Sequence, residues 1–382
     1  MHSEFRSAFF LFMTVNKVIK HIEEWAPKEI AWERDNVGLQ VGSLNRRLKN
    51  IMLCLEITEG VINESIKNKC NFIFSHHPLL FRSLKKIDTD KDKTSIIVEK
   101  LLKNNITLYS AHTNLDFTKD GVSFQLAKKI KLNNIKFLVN LKSNQYKVIV
   151  FVPQKNVEEL SHKIFECGGG IIGEYKNCSF RINGEGTFKG SKNTNPHFGS
   201  KNKSEKFYET RLEVIVNKWN LNSVIETIKE NHPYEEPAFD IYPLENDNLN
   251  YGAGAIGNFE RSLSVNEFLN NVKKLLNLKN FRYVKGSKKN IKKVAVCGGS
   301  CSELIKDAIN KGADAFITAD IKYHDFHDAD GKILLIDAGH YETEIHSLKE
   351  VQLRLKKFLS DNNKIKVFKY SGSTNPIIFY NN

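Results

Sequence analysis

The 382-residue sequence predicts an α/β protein: a parallel sheet covered by helices, built from two related segments, and interrupted by a smaller α+β domain. Three observations predict it. Apolar runs of strand length alternate with helix-period stretches over residues 51–110, and the same alternation returns over residues 293–336. The two stretches also resemble each other: residues 68–75 match 310–318, and Ser110-Ala111-His112 with Asp116 parallels Ala338-Gly339-His340 with Glu344. Between them, at about residues 144–248, the order changes to short, turn-bounded strands around two helices.

In chain order, Val15, Val18, Ile19, Ile22 and Trp25 recur at helical spacing over residues 13–26, and Pro27 ends the pattern. A turn at Asp35-Asn36-Val37-Gly38 leads into alternating apolar residues. Strand, helix, strand, helix, strand follow at 51–55, 61–68, 72–74, 94–103 and 106–110, which predicts a parallel sheet with covering helices. Residues 146–152, 156–166, 178–188, 210–216, 221–231 and 239–244 then read strand, helix, strand, strand, helix, strand, the ferredoxin-like order, with a polar loop at 189–207. The first character returns with a helix at 265–276, strand 293–297, helix 302–311 and strands 315–318 and 333–336. The predicted organisation is therefore one α/β domain in two segments, 13–143 and 249–382, an inserted ferredoxin-like domain at 144–248, and an N-terminal extension at 1–12 with Met13 as the natural start.

Composition narrows the function classes. No window of 18 apolar residues exists, so no membrane span is expected. The net charge of +13 invites nucleic acid as a partner, but the lysines are dispersed, and the one dense basic run, 285–293, lies between predicted elements as a solvated loop. Nucleic acid is not expected. The six cysteines are scattered and read as reduced thiols of a cytoplasmic protein; Cys297 and Cys301, with three residues between them, lack the usual zinc or redox spacing and read as structural thiols.

The histidines carry the chemistry. Neighbouring side chains of a strand point to opposite faces, so His76 and His77 can share one target only if the strand ends there, and Pro78 supplies that ending. The alternative is a surface pair beside a turn. His340 and Glu344 stand four apart where a helix begins, so an imidazole and a carboxylate share one face; Ile345, Leu348, Val351, Leu355 and Phe358 carry the helix's apolar stripe to residue 359, and His346 falls off it, to the surface. With Asp116, a metal site of three imidazoles and two carboxylates emerges, all at strand ends or helix starts. Singly, Asp116 is equally an Asx turn or cap and Glu344 a solvated helix carboxylate. Together the five exceed what one tetrahedral zinc requires, and two carboxylates can bridge a pair, so two divalent ions are expected, with zinc, iron and manganese all suited to such ligands.

Asp35-Asn36-Val37-Gly38-Leu39, Ser75-His76-His77-Pro78-Leu79, His112-Thr113-Asn114-Leu115-Asp116, His232-Pro233-Tyr234-Glu235-Glu236 and Gly339-His340-Tyr341-Glu342-Thr343-Glu344 resemble, in order and over nearly the whole chain, the NIF-three-like family, often labelled GTP cyclohydrolase 1 type 2. The resemblance implies an α/β metal-binding domain split by a ferredoxin-like insertion, two divalent ions on His76, His77, Asp116, His340 and Glu344, and ring-shaped homohexamers. Two positions depart from the family's pattern: Ala319-Asp320 where Gly-Asp is usual, which predicts an altered turn because alanine takes a positive φ less readily, and Glu56 where aspartate is usual. Neither is expected to touch a ligand.

A metal-dependent hydrolase follows, in which ion-activated water attacks a small-molecule substrate and His112 or His324 moves protons. His112, one turn before Asp116, is equally an outer partner of a ligand or part of the site wall; His324 faces the same cavity or is a capping or surface histidine. The family label implies GTP as substrate, opened at its imidazole ring toward a dihydroneopterin-type product, although no glycine-rich phosphate loop is present. The alternative is a metal-binding assembly or regulatory protein without turnover, whose inserted domain binds a ligand or partner. His232-Pro233-Tyr234 reads first as a rigid turn.

Overall fold

The computed structural model describes residues 12–362 and 364–380; all of the expected extension except Phe12 lies outside the described residues. The chain divides into two compact units, one comprising residues through Val139 with those from Gly252 onward, the other spanning Asn140–Tyr251. The architecture is mixed α/β with a five-stranded, a six-stranded and a four-stranded sheet.

In the first unit, Asn50–Cys54, Cys70–Ser75 and Thr107–Ser110 run parallel, with Cys54 level with Ser75 and Ser75 level with Ser110. Gly38–Val41 lies antiparallel beside Thr107–Ser110. Phe72, Phe74 and Tyr109 bury one face of this sheet against helices Val15–Trp25 and Ser347–Phe358. Met52, Ile73 and Leu108 bury the other against Glu59–Lys67 and Lys93–Lys103. Burial on both faces is why these strands read as continuous apolar runs, each large side chain contributing about 1.5–3 kcal/mol.

The second sheet repeats the plan. Asn290–Ser300, Ala315–Ala319 and Leu334–Asp337 are parallel neighbours in the same relative order, with Thr318 level with Asp337. Ser75 thus corresponds to Thr318, as the internal resemblance predicts, whereas Ser110 corresponds to Asp337, one residue before the Ala338 that it matches in sequence. Each sheet also takes in a strand from the other segment: Val367–Lys369 pairs parallel with Asn50–Cys54, and Asn133–Asn140 borders Gly252–Ser264. Helix Val122–Lys129 seats Phe124, Leu126 and Ala127 among Val294, Val296, Ile317 and Ile336 of the second sheet.

Several local expectations change. Strands Asn133–Asn140 and Gly252–Ser264 escape sequence reasoning, the second because glycines at 252, 254 and 257 imitate a turn. A Cβ on Gly252 would lie 2.4 Å from Val139 O and one on Gly257 2.8 Å from Asn133 O, so these glycines admit the neighbouring backbone. The expected single helix over 340–359 is two, His340–Glu344 and Ser347–Phe358. His346, at the break, is not a surface residue: it is half-buried, and burial together with Lys129 and Lys369 pushes its pKa down to about 4. At Ala319-Asp320, alanine ends the strand and Asp320 takes the positive φ, +53°. Aspartate tolerates that region better than alanine, which leaves the turn intact.

In the second unit, Gln145–Pro153, Ser179–Lys189, Ser204–Asn217 and Phe239–Leu244 form an antiparallel sheet in the spatial order second, third, first, fourth. Val148, Val150, Val152, Leu212, Val214 and Val216 pack against Leu160, Ile164, Val224 and Ile228 of helices Val157–Glu166 and Leu221–Asn231. The polar loop is shorter than expected, since Ser204 already pairs with Lys189. His232 is a rigid-turn residue: its Nε2 donates to Phe151 O at 2.9 Å and its Nδ1 accepts from Tyr234 N at 3.1 Å.

Candidate metal centre

Because the parallel strands end level, the residues just beyond them crowd together at the carboxyl edge of each sheet. His76 and His77 follow Cys70–Ser75, His112 lies two residues beyond Thr107–Ser110, and His340 follows Leu334–Asp337 at the start of a helix whose single turn carries Glu344. These residues meet. His340 Nε2 lies 3.0 Å from Glu344 Oε1, His77 Nε2 lies 3.3 Å from Glu344 Oε2 and 3.3 Å from His340 Nε2, and His76 Nε2 lies 3.7 Å from Glu344 Oε1 and 3.5 Å from Asp116 Oδ1. Glu344, only 2% exposed, is the hub. All five residues expected as ligands converge.

Each imidazole is fixed from behind. His76 Nδ1 donates to Ala111 O at 2.8 Å, His77 Nδ1 to Glu56 at 3.0 Å, His340 Nδ1 to Asp320 at 2.6 Å, and His112 Nδ1 to both oxygens of Asp35 at 3.0 Å. With Nδ1 carrying the proton, Nε2 is the nitrogen left for a ligand, the arrangement by which outer partners orient metal-binding histidines. Glu56 and Asp320 therefore do touch expected ligands, contrary to the sequence reading. In both sheets a carboxylate just past one strand holds the histidine just past its neighbour, a pairing visible only once the strands are aligned. The signal in the sequence was their position: Glu56 lies two residues beyond Cys54 and Asp320 one beyond Ala319.

His112 belongs to the same group. Its ring lies 5.2 Å, centroid to centroid, from those of His76 and His77, and the three offer ring nitrogens within 4.8 Å of one another, as do His77, His340 and Glu344. His324 is placed differently: it is exposed on helix Tyr323–Ala329 with its ring edge-on to Tyr323, and among the described residues no hydrogen bond or ion pair joins it to the cluster.

The donor set fits a cation. His76 Nε2, Asp116 Oδ1 and Glu344 Oε2 are buried, and among the described residues none has a hydrogen-bond partner. Such groups cost free energy unless something else satisfies them. The ligand atoms of His76, His77 and His112, and those of His77, His340 and Glu344, lie within 4.8 Å of one another, close enough in each group to share an ion. These buried groups could hold a metal ion.

Charge among these residues runs strongly both ways. Burial would raise the Glu344 carboxyl, but the facing His76, His340 and His77 imidazoles overcome it and hold it well below the usual range. Burial raises Asp116, opposed in part by His76. Burial would lower the histidines, yet Glu344 and Glu56 push His77 up to about 10, and Glu344 and Asp320 push His340 up to about 9. Asp35, which burial alone would raise, is held down at about 2 by His112 and Thr113.

The wall behind Glu344 is the turn Cys297-Gly298-Gly299-Ser300-Cys301. Gly299 has φ of +71°, and a Cβ there would lie 2.5 Å from Glu344 Oε1 and 3.4 Å from His340 Nε2. Its amide donates to Thr343 Oγ1 at 3.0 Å and its carbonyl accepts from Thr318 Oγ1 at 2.9 Å. The two cysteines, expected as separate thiols, are joined as a disulfide with Cα atoms 6.1 Å apart, because the glycine turn folds the chain back on itself.

A family model described as Duf34/NIF3 (NGG1p interacting factor 3) matches residues 13–376. Proteins named GTP cyclohydrolase 1 type 2 homolog are similar: that of Halalkalibacterium halodurans is 38% identical over 95% of this chain and 98% of its own length, and that of Bacillus subtilis 37% identical over the same shares. Among solved structures, a Bacillus cereus protein related to NIF3 superposes with a TM-score of 0.84 at 34% identity, covering 97% of this chain and all of that one.

Proposed function

The chain belongs to the Duf34/NIF3 family, and on that premise we propose that it is a metal-dependent hydrolase acting on a nucleotide-like small molecule, with two divalent ions held by His76, His77, Asp116, His340 and Glu344. The observation that carries the reading is the set of three buried ligand atoms without a hydrogen-bond partner, His76 Nε2, Asp116 Oδ1 and Glu344 Oε2, among histidines whose other nitrogen is already engaged. Divalent ions there would supply Lewis acidity and bring the pKa of bound water toward neutrality.

The chain's own residues do the rest. Glu344 presents one oxygen to His76 and His340 and the other to His77, so it would help to hold the ions that these histidines ligate. Glu56 and Asp320 fix the rings of His77 and His340, so the ligand nitrogens cannot rotate out of the site. Asp35 holds the Nδ1 proton of His112 and leaves Nε2 to take up or return a proton beside His76 and His77. His324 is assigned no contact with the reacting atoms; its place in proton transfer would rest on a substrate bridging to it. The nucleotide class is taken from the relatives' name.

The test is elemental analysis of protein purified without chelator, for wild type, His77→Ala and Glu344→Ala, followed by turnover assays with GTP and related nucleotides. About two equivalents of metal in wild type, a sharp fall in both variants, and turnover that disappears with the metal support the reading. Wild type devoid of metal after exposure to zinc, manganese and iron refutes it; metal without turnover leaves the binding-protein alternative.

A further inference from the structure

The disulfide-closed turn is the one wall of the candidate centre with chemistry of its own. Cys297 ends the apolar run of strand Asn290–Ser300 and is 4% exposed, with Ser123 Oγ 3.7 Å from its sulfur; Cys301, half-buried, lies outside the wall. Between them Gly298 and Gly299 lie directly against the metal-facing groups: a Cβ on Gly298 would be 3.5 Å from Glu344 Cγ, and one on Gly299 2.5 Å from Glu344 Oε1. Gly298 N reaches Ser123 Oγ at 3.3 Å and Gly299 N reaches Thr343 Oγ1 at 3.0 Å, so any shift of the turn reaches the one-turn helix that carries both His340 and Glu344.

We propose that Cys297 and Cys301 are a redox-modification site, a dithiol–disulfide pair whose closure presses the Gly298-Gly299 wall onto Glu344 and tightens the centre's hold on its metal. The proposal rests on the metal reading of the centre. The oxidant is a low-molecular-weight disulfide, RSSR. The Cys301 thiolate, the more accessible of the two, attacks one sulfur of RSSR, forming a mixed disulfide and releasing RS⁻, which takes up a proton as RSH. Cys297 then gives its proton to solvent and its sulfur attacks that of Cys301, expelling the second RS⁻, which is protonated in turn. Two electrons pass from the cysteine pair to RSSR, and the products are the protein disulfide and two RSH. A thiol or phosphine reductant reverses the outcome.

Closing a five-residue ring removes conformations in which the wall stands away from Glu344, and such preorganisation of the groups around a ligand raises affinity. Outer supports of metal ligands are commonly worth 10–100-fold in affinity, so the disulfide form is expected to bind zinc on the order of tenfold more tightly than the dithiol form.

The experiment uses the full chain, stripped of metal, reduced with a phosphine, desalted, and then either left reduced or oxidised with glutathione disulfide. Peptide mass spectrometry maps the bond, and competition with a chromogenic chelator gives the zinc dissociation constant of each form. The expected result is a Cys297–Cys301 crosslink, roughly tenfold tighter zinc binding in the oxidised form, and a Cys301→Ser variant that behaves as the dithiol form under both treatments. A peptide map without the crosslink overturns the proposal, as does equal zinc affinity in the two forms. If neither form binds zinc while the crosslink forms, the metal reading of the centre fails, and the coupling fails with it.

Discussion

Replacing Gly299 by alanine isolates the contact between the glycine turn and the Glu344 carboxylate. The added Cβ would stand 2.5 Å from Glu344 Oε1, whereas carbon and oxygen in comfortable contact need roughly 3.5 Å, so one of them must yield about 1 Å. The wall cannot retreat freely, because Gly299 is tied at its amide to Thr343 and at its carbonyl to Thr318. Glu344, buried and shared by three histidines, is the group that moves. Metal–ligand distances tolerate only about 0.2 Å, so on the proposed reading a displacement of that size would take Glu344 out of reach of a bound ion. Holding alanine at a φ of +71° adds about 1–2 kcal/mol of backbone strain, a fall in melting temperature of a few degrees for a unit of this size. The assay is metal per chain by elemental analysis, beside circular dichroism and a melting curve. The expected variant is folded, slightly less stable, and depleted of metal by at least tenfold in affinity. A folded Gly299→Ala protein that binds metal as wild type does would refute the placement of Glu344 as the shared ligand.

Three other outcomes follow from the same geometry. Metal uptake should release protons at pH 7: in the metal-free protein His77 titrates at about 10 and His340 at about 9, so each gives up a proton on ligation and zinc affinity should climb with pH until about 9–10; calorimetry in buffers of differing ionisation enthalpy measures this, and uptake without proton release would contradict it. Asp35→Asn should cost about 2 kcal/mol of unfolding free energy at pH 7, because the native carboxyl titrates at about 2 against 3.8 unperturbed; that stabilisation is present above pH 4 and is lost as pH falls through 2, so denaturant curves of the two proteins should converge in acid, and equal stability at pH 7 would count against it. His346, with its pKa lowered from 6.5 to about 4, favours the native state fully above pH 6.5 and progressively less as pH falls toward 4; His346→Leu should flatten the decline of melting temperature across that window, and an unchanged slope would show that the imidazole is not held neutral there.

The central parallel strands of both sheets and the five proposed ligands are legible in the sequence because both are local signals. An apolar run of four to six residues marks a strand buried on both faces, and a proline after two histidines, or a histidine four residues before a glutamate, marks a shared direction. What escaped depends on alignment between distant strands. Glu56 holds His77 and Asp320 holds His340 only because neighbouring strands end at the same level, and nothing in the residues around either carboxylate states that level. Strand Gly252–Ser264 was hidden by glycines whose purpose is to let another backbone approach. His346 was misplaced because a continuous helix was assumed through residues 340–359, and the break at 345–346 turns its ring inward.

The exchange of strands between the two sheets bears on how the molecule comes into being. Val367–Lys369 closes the edge beside Asn50–Cys54, a partner more than 300 residues earlier in the chain. During synthesis the first sheet must wait, with that edge unfilled, while the inserted unit and the whole second sheet emerge. At roughly 5–20 residues per second the wait lasts tens of seconds, long enough for an open apolar edge to meet another nascent chain. His340 and Glu344 also arrive in that final stretch. The nascent chain therefore cannot bring the full set of proposed ligands together until the second segment has emerged behind the inserted unit, so on the proposed reading any metal would be taken up only after both segments have met.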